Sequence, residues 1–239
     1  KWLNMFSRLV ILFILYPLGL FAQIAVTNFP PMDNEPYLVN EVFLASGGGI
    51  TTSNFSSVGF ANGIGYFDGN ASNIGFNEGI ILSTGGLGLV TDGFGTGSGI
   101  SGDADLELAL NQINLTWGVN NVTILEFDFV AESESVAFNY VFGSVEYTSF
   151  TCSNYNDIFG FFLSGPGIND IYSNNATNIA LVPDPNNPGS FTDTPVAVNT
   201  INAGSPIYTN DPQCNDIDPN FEDYNVYWID NDYDPAFNP

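Results

Sequence analysis

Val122-Thr-Ile-Leu-Glu-Phe-Asp-Phe-Val130 decides the fold class. Leu125, Phe127 and Phe129 alternate with Glu126 and Asp128, so an extended chain carries its large apolar groups on one face and its acids on the other. Ala131-Glu-Ser-Glu-Ser135 reads as a turn, and beyond it Val136, Phe138, Tyr140 and Phe142 repeat the period of two. The pair predicts an antiparallel hairpin with Phe127, Phe129, Phe138 and Tyr140 buried. Glu126 and Asp128 then belong to the solvated face rather than to a ligand site.

Working outward, Asp157-Ile-Phe-Gly-Phe-Phe-Leu-Ser164 is a near-continuous apolar run, expected as a central strand covered on both faces and stopped by Gly165-Pro-Gly167. Ile179 to Val182 and Pro195 to Ile201 read as further strands around the loop Pro183 to Thr194. Gly79-Ile-Ile-Leu-Ser83 reads as a short buried strand. Thr84 to Gly102 is glycine-rich, but no lysine follows it and no strand-to-helix frame surrounds it, so it is no nucleotide loop. The one helix expected is Ala104 to Gln112. Asp103 is its N-cap, Asp105 and Glu107 lie in the first turn, and Leu106 and Leu110 form a short apolar stripe.

Charge is distributed as unevenly as hydrophobicity. Lys1 and Arg8 are the only basic side chains, and there is no histidine. They precede an apolar run from Leu9 to Leu20 that ends in Phe21-Ala22-Gln23, the layout of a secretory signal peptide over residues 1–22. The run is short for a membrane span, and a retained anchor is the alternative. Cleavage after Ala22 leaves residues 23–239 as a single β domain with 26 carboxylates and no base, at a net charge of −26 instead of −24. Such a chain holds no Ser-His-Asp or Cys-His arrangement, no Schiff-base lysine and no arginine clamp on phosphate. Nucleic acid is excluded as a partner, because binding its backbone needs Lys and Arg. The natural counter-charge is a dissolved cation, and calcium takes the oxygen ligands this chain offers. The alternative is a charged coat that keeps an exported protein soluble.

Cys152 and Cys214 are the only cysteines, an even number suited to an oxidising compartment. A bond between them closes a loop of about 60 residues and contributes on the order of 4 kcal/mol; two buried thiols are the alternative. The tail is the most acidic stretch. Asp230-Asn-Asp-Tyr-Asp234 begins like a calcium loop, but Pro235 stands where an EF-hand needs glycine. Trp117 and Trp228 could stack on sugars, yet serve equally as core residues. Five Asn-x-Ser/Thr sequons are expected by chance in a chain this rich in asparagine, and no glycan is assigned to them.

One set of ordered blocks carries family information. They are Phe138-Asn-Tyr-Val-Phe-Gly-Ser-Val-Glu-Tyr147, the stretch Cys152 to Gly167, Asn178-Ile-Ala-Leu-Val-Pro183 and Pro195-Val-Ala-Val-Asn199. Gly79 to Gly85, Gly102-Asp-Ala-Asp-Leu106 and Leu125 to Phe129 agree with them. Together, from about Tyr37 to Gly204, the chain resembles the choice-of-anchor L domain of bacterial surface and secreted proteins. The resemblance implies an exported, non-enzymatic adhesin-type module. It departs at Val145, where the family commonly reads Ser-Glu-Glu-Tyr, leaving Glu146 as the one carboxylate there and implying weaker cation binding. Further strands are expected beyond Pro239, so the chain reads as the N-terminal part of a longer polypeptide.

The expectation is therefore an all-β protein, an antiparallel β-sandwich of jelly-roll type with one short helix and its C-terminal strands missing. It is exported to the cell surface or beyond, and its mature chain does not insert in a membrane. Adhesion or recognition of an extracellular glycan or protein surface is the leading function. A carboxylate-dependent glycan hydrolase and a structural spacer in a long surface protein are the alternatives. Calcium is the expected cofactor. Its candidate ligands are Glu146 and Asp157 in the family-like blocks, Asn156 beside them, and Asp103 and Asp105 from the Gly-Asp-x-Asp turn.

Overall fold

The computed structural model describes residues 24–45, 49–88, 90, 97, 100–116, 118–147, 150–202 and 221–229. The expected export signal, most of the glycine-rich loop, Cys214 and most of the acidic tail lie outside them. Among the described residues every strand pairing is antiparallel, and the strands fall into four small sheets. β1 (Ala25–Thr27), β3 (Ile64–Asp68) and β4 (Glu78–Leu82) form one, in the order β1-β3-β4. β2 (Ile50–Val58) pairs with β5 (Ile124–Ala131) in a second. β6 (Ile158–Phe159), β10 (Phe191–Ala197) and β9 (Leu181–Pro183) form the third, with β10 central. β7 (Phe162–Leu163) and β8 (Thr177–Asn178) form the fourth. The all-β class is as expected; a jelly-roll sandwich does not emerge from these sheets.

The first half of the quoted stretch is a strand with the expected faces. Leu125, Phe127 and Phe129 are half-buried and Glu126, Asp128 and Val130 are exposed. Its partner, however, is β2, from Ile50↔Ala131 to Val58↔Ile124. The expected hairpin with 136–142 is not formed. Among the described residues 136–142 enters no ladder. Its rings pack instead: Phe138 stacks on Phe161 at 4.1 Å between centroids, and Tyr140 meets Phe159 at 4.9 Å. Each step of two along 138–140 matches a step back from 161 to 159, an antiparallel alignment held by side chains. Phe127, Phe129 and Phe138 are half-buried rather than buried, and Tyr140 remains 37 % exposed.

The expected central strand 157–164 is divided. A Cβ at Gly160 would lie 2.5 Å from the Phe162 ring and 3.1 Å from Leu106, so any larger residue there has to push the Phe162 ring aside. β6 before it pairs with β10 and β7 after it pairs with β8; both are half-buried. Pro195 sits where the β9–β10 register shifts, a place for a residue without an N–H. β4 matches its expected strand to within a residue. The strands expected at 179–182 and 195–201 are instead β9 and β10, the latter ending at Ala197 in a buried turn.

The helix α2 (Ala104–Gln112) has the expected limits, and Asp103 Oδ1 accepts from the Leu106 N–H at 2.8 Å as its N-cap. It is not the only helical piece. α1 (Glu35–Tyr37) continues as a π-helical turn, Leu38–Phe43, and 3-10 turns lie at Ser173–Asn175 and Phe221–Tyr227. Asn34 caps α1 and Pro36 suits its first turn, a start signal passed over in the sequence. α2 joins two parts of the core. Leu110 packs with Ile113, Leu115 and Ala197, and Ala109 with Tyr172 and Ala176, while Ile158 touches both groups. A third group, Val182, Val196 and Tyr224, packs against Phe142 and Ile201.

Candidate functional site

Two acids, Glu146 and Asp157, lie outside the strands between the described residues 143 and 157. The turn at 144–147 starts with Ser144, whose Oγ accepts from the Glu146 N–H at 2.9 Å and donates to Asp157 Oδ2 at 2.6 Å. One hydroxyl thus ties the two acids of the family-like blocks together. Glu146 Oε2 is buried with no hydrogen-bond partner. Burial first, and the Asp157 charge second, raise the Glu146 carboxyl above the ordinary carboxylate range. The same two causes, in the same order, push the Tyr147 phenol up. Tyr147 donates to the Ile201 carbonyl at 2.6 Å, which fixes the turn to the end of the third sheet.

Asn199, fully buried, holds the other side. Its Oδ1 accepts from the Cys152 N–H at 2.6 Å, and its Nδ2 donates to the Ser153 carbonyl at 2.8 Å. Its own N–H donates to Asn156 Oδ1 at 2.8 Å. The Val198 N–H donates to the Asp157 carbonyl at 3.0 Å. Loop 150–157 is therefore stitched to the turn after β10. Asn199 does this while Ser144 ties Asp157 to the 144–147 turn, and sequence reasoning assigned neither a role. Asn199 closes an apolar run, Pro195-Val-Ala-Val-Asn199, and a polar residue ending a buried strand is the signal that was there to be read.

The candidate ligands separate into two groups. Glu146 and Asp157 are brought together with Asn156 beside them, although the Asn156 oxygen is already taken by the Asn199 N–H. Asp103 and Asp105 are engaged elsewhere. Asp103 caps α2, and Asp105 Oδ1 accepts from the Ser173 N–H at 2.8 Å, beside an open groove lined by Asn111, Ile171 and Tyr172. Among the described residues no three acid or cysteine side chains gather closely enough to hold a metal ion. A calcium ion at Glu146 and Asp157 would need backbone carbonyls and water to complete its shell. Cys152 is buried; the expected disulfide falls outside the described residues with Cys214.

The described residues form an antiparallel β module that carries one buried carboxylate oxygen and no Lys, Arg or His. The choice-of-anchor L domain model matches residues 26–238, and the chain belongs to that family, one of cell-surface or secreted proteins and not an enzyme family. The match is wider than the stretch from Tyr37 to Gly204 on which the resemblance was read. No curated protein and no solved structure matches the chain. No helix among the described residues is long and apolar enough to cross a membrane.

Proposed function

We propose that this chain is an exported, non-enzymatic adhesion or recognition module of the bacterial surface, with calcium bound at Glu146 and Asp157 steadying the loop that joins them. Membership of the family over residues 26–238 carries the first part. The buried, unpartnered Glu146 Oε2 beside Asp157 supports the second, since no basic side chain follows Arg8 to neutralise the pair. A divalent ion offsets both charges at once and stabilises the fold by binding it and not the unfolded chain. In the same reading residues 1–22 are the export signal. Cys152 and Cys214 are bonded, and mass measurement of alkylated protein with and without prior reduction tests that bond.

Thermal unfolding with calcium or with chelator at matched ionic strength tests the ion. Calcium raises the midpoint; sodium reproducing the whole shift reduces the acids to a charged coat. Adherence of the full chain to surfaces coated with glycans or with proteins tests the function, and a module that adheres to none is a spacer. Turnover on a glycan and ester panel, abolished by a single carboxylate-to-amide change, overturns the non-enzymatic reading.

A further inference from the structure

The geometry points to a docking surface at the Phe150–Tyr155 ring pair, whose occupant is an Arg- or Lys-bearing segment of another protein. The inference rests on the recognition reading above and names its partner. Phe150 and Tyr155 are 42 % and 64 % exposed, and their rings meet edge to face at 5.1 Å. Val145, earlier in the same loop, is 77 % exposed. The rings stand on a fixed backbone. The Phe150 N–H donates to the Glu146 carbonyl at 2.9 Å and the Tyr155 N–H to Ser153 Oγ at 3.1 Å, while Thr151 and Cys152 between them are buried. Aromatic groups exposed on an already ordered loop lose little further freedom on binding, which is how interface anchors are built.

Charge selects the occupant. The described residues contain no basic side chain, and the whole chain carries a net charge of −24, which stays strongly negative with a calcium ion at Glu146 and Asp157. A second copy brings another net charge of −24, and a nucleic-acid backbone is repelled as well. A guanidinium or ammonium group gains from both features, lying over a ring face and drawn by the net negative charge of the chain.

The test is binding of a labelled oligo-arginine peptide to the full chain at physiological ionic strength, for wild type, Tyr155→Ala and Phe150→Ala/Tyr155→Ala. Affinity is expected to fall about threefold in the single variant and about tenfold in the double, with the unfolding midpoint of the single variant unchanged. Equal affinity in wild type and Tyr155→Ala overturns the site, because the peptide then senses only the overall charge. The single variant decides alone if the double does not fold. Adherence to a coated surface that Tyr155→Ala leaves intact counts against this site but not against the recognition reading. Absence of adherence to any surface counts against the recognition reading, while the peptide measurement still judges the rings.

Discussion

Segments 124–131 and 136–142 carry the same alternation of large apolar residues, yet they are built differently. Ile124–Ala131 runs in a backbone ladder against Ile50–Val58, with its acids tied to the partner: Asn54 Nδ2 donates to Asp128 at 2.6 Å and the Ser56 hydroxyl to Glu126 at 3.1 Å. Segment 136–142 has no ladder among the described residues and is held by its rings, Phe138 on Phe161 and Tyr140 on Phe159. The difference teaches that a period of two fixes which side chains share a face and not which strand lies alongside. Partner choice depends on what else is within reach, and β2 offers a polar outer face of Thr51, Ser53 and Ser56 that suits the acids of β5.

Hydrogen exchange should show the largest contrast. The amides of 124–130 that point at β2, every second one, are expected to exchange slower by orders of magnitude than those of 138–142, because only they are laddered. Equal protection would mean that 136–142 pairs as a true strand. Phe138→Ala comes next. The ring is half-buried against Phe43 and Phe161, so its loss should cost about 2 kcal/mol, below the range for a fully buried phenylalanine. Val141→Ala, on the exposed side of the same segment, should cost less than about 0.5 kcal/mol. Denaturant midpoints that fall equally for the two would remove the ring-held account.

The third measurement turns on sign. The Glu146 carboxyl is raised in the folded state, so the unfolded chain ionises it first. Its cost to stability is absent at acid pH, grows as pH rises through the raised value, and is fully present above it. In chelator at neutral pH, Glu146→Gln should therefore raise the unfolding midpoint, and the gain should vanish on acidification. In calcium the same variant should lose the ion's stabilisation, reversing the sign. A gain of the same size in both conditions would remove the calcium proposal and leave the desolvated acid.

Local signals were legible and remote ones were not. Asp103 before an alternation of acids and leucines gave α2 its limits, because capping is settled within four residues. The faces of β5 followed from its period. The partner of β5, about 70 residues away, leaves no mark on the stretch itself. The break at Gly160 is set by Leu106 and Phe162, and only the second is near in sequence. At the site, the acid pair was legible from the family-like blocks. The ties through Ser144 and Asn199 were not, since a serine and an asparagine in a chain rich in both carry no information until the fold brings them to their partners.

Asp128→Ala has a small expected effect and gives the sharpest view of the laddered segment. Asp128 lies opposite Ser53, at the residue before the β2–β5 register shift, and it accepts from Asn54, which holds a φ of +55° inside the bulge. Asparagine tolerates that backbone better than most residues, and the Asp128 carboxylate orients its side chain. Both groups are exposed, so the bond itself is worth little. Removing the carboxylate should cost about 0.5–1 kcal/mol. It should also quicken exchange at the amides next to the bulge while leaving those near Ile50 and Val58 unchanged. Should exchange quicken along the whole strand instead, the ladder opens as one unit and the bulge is no local joint. If nothing changes, the register of β2 against β5 is held without Asp128, by the ladder, the Ser56–Glu126 bond and Phe55 stacked on Phe127.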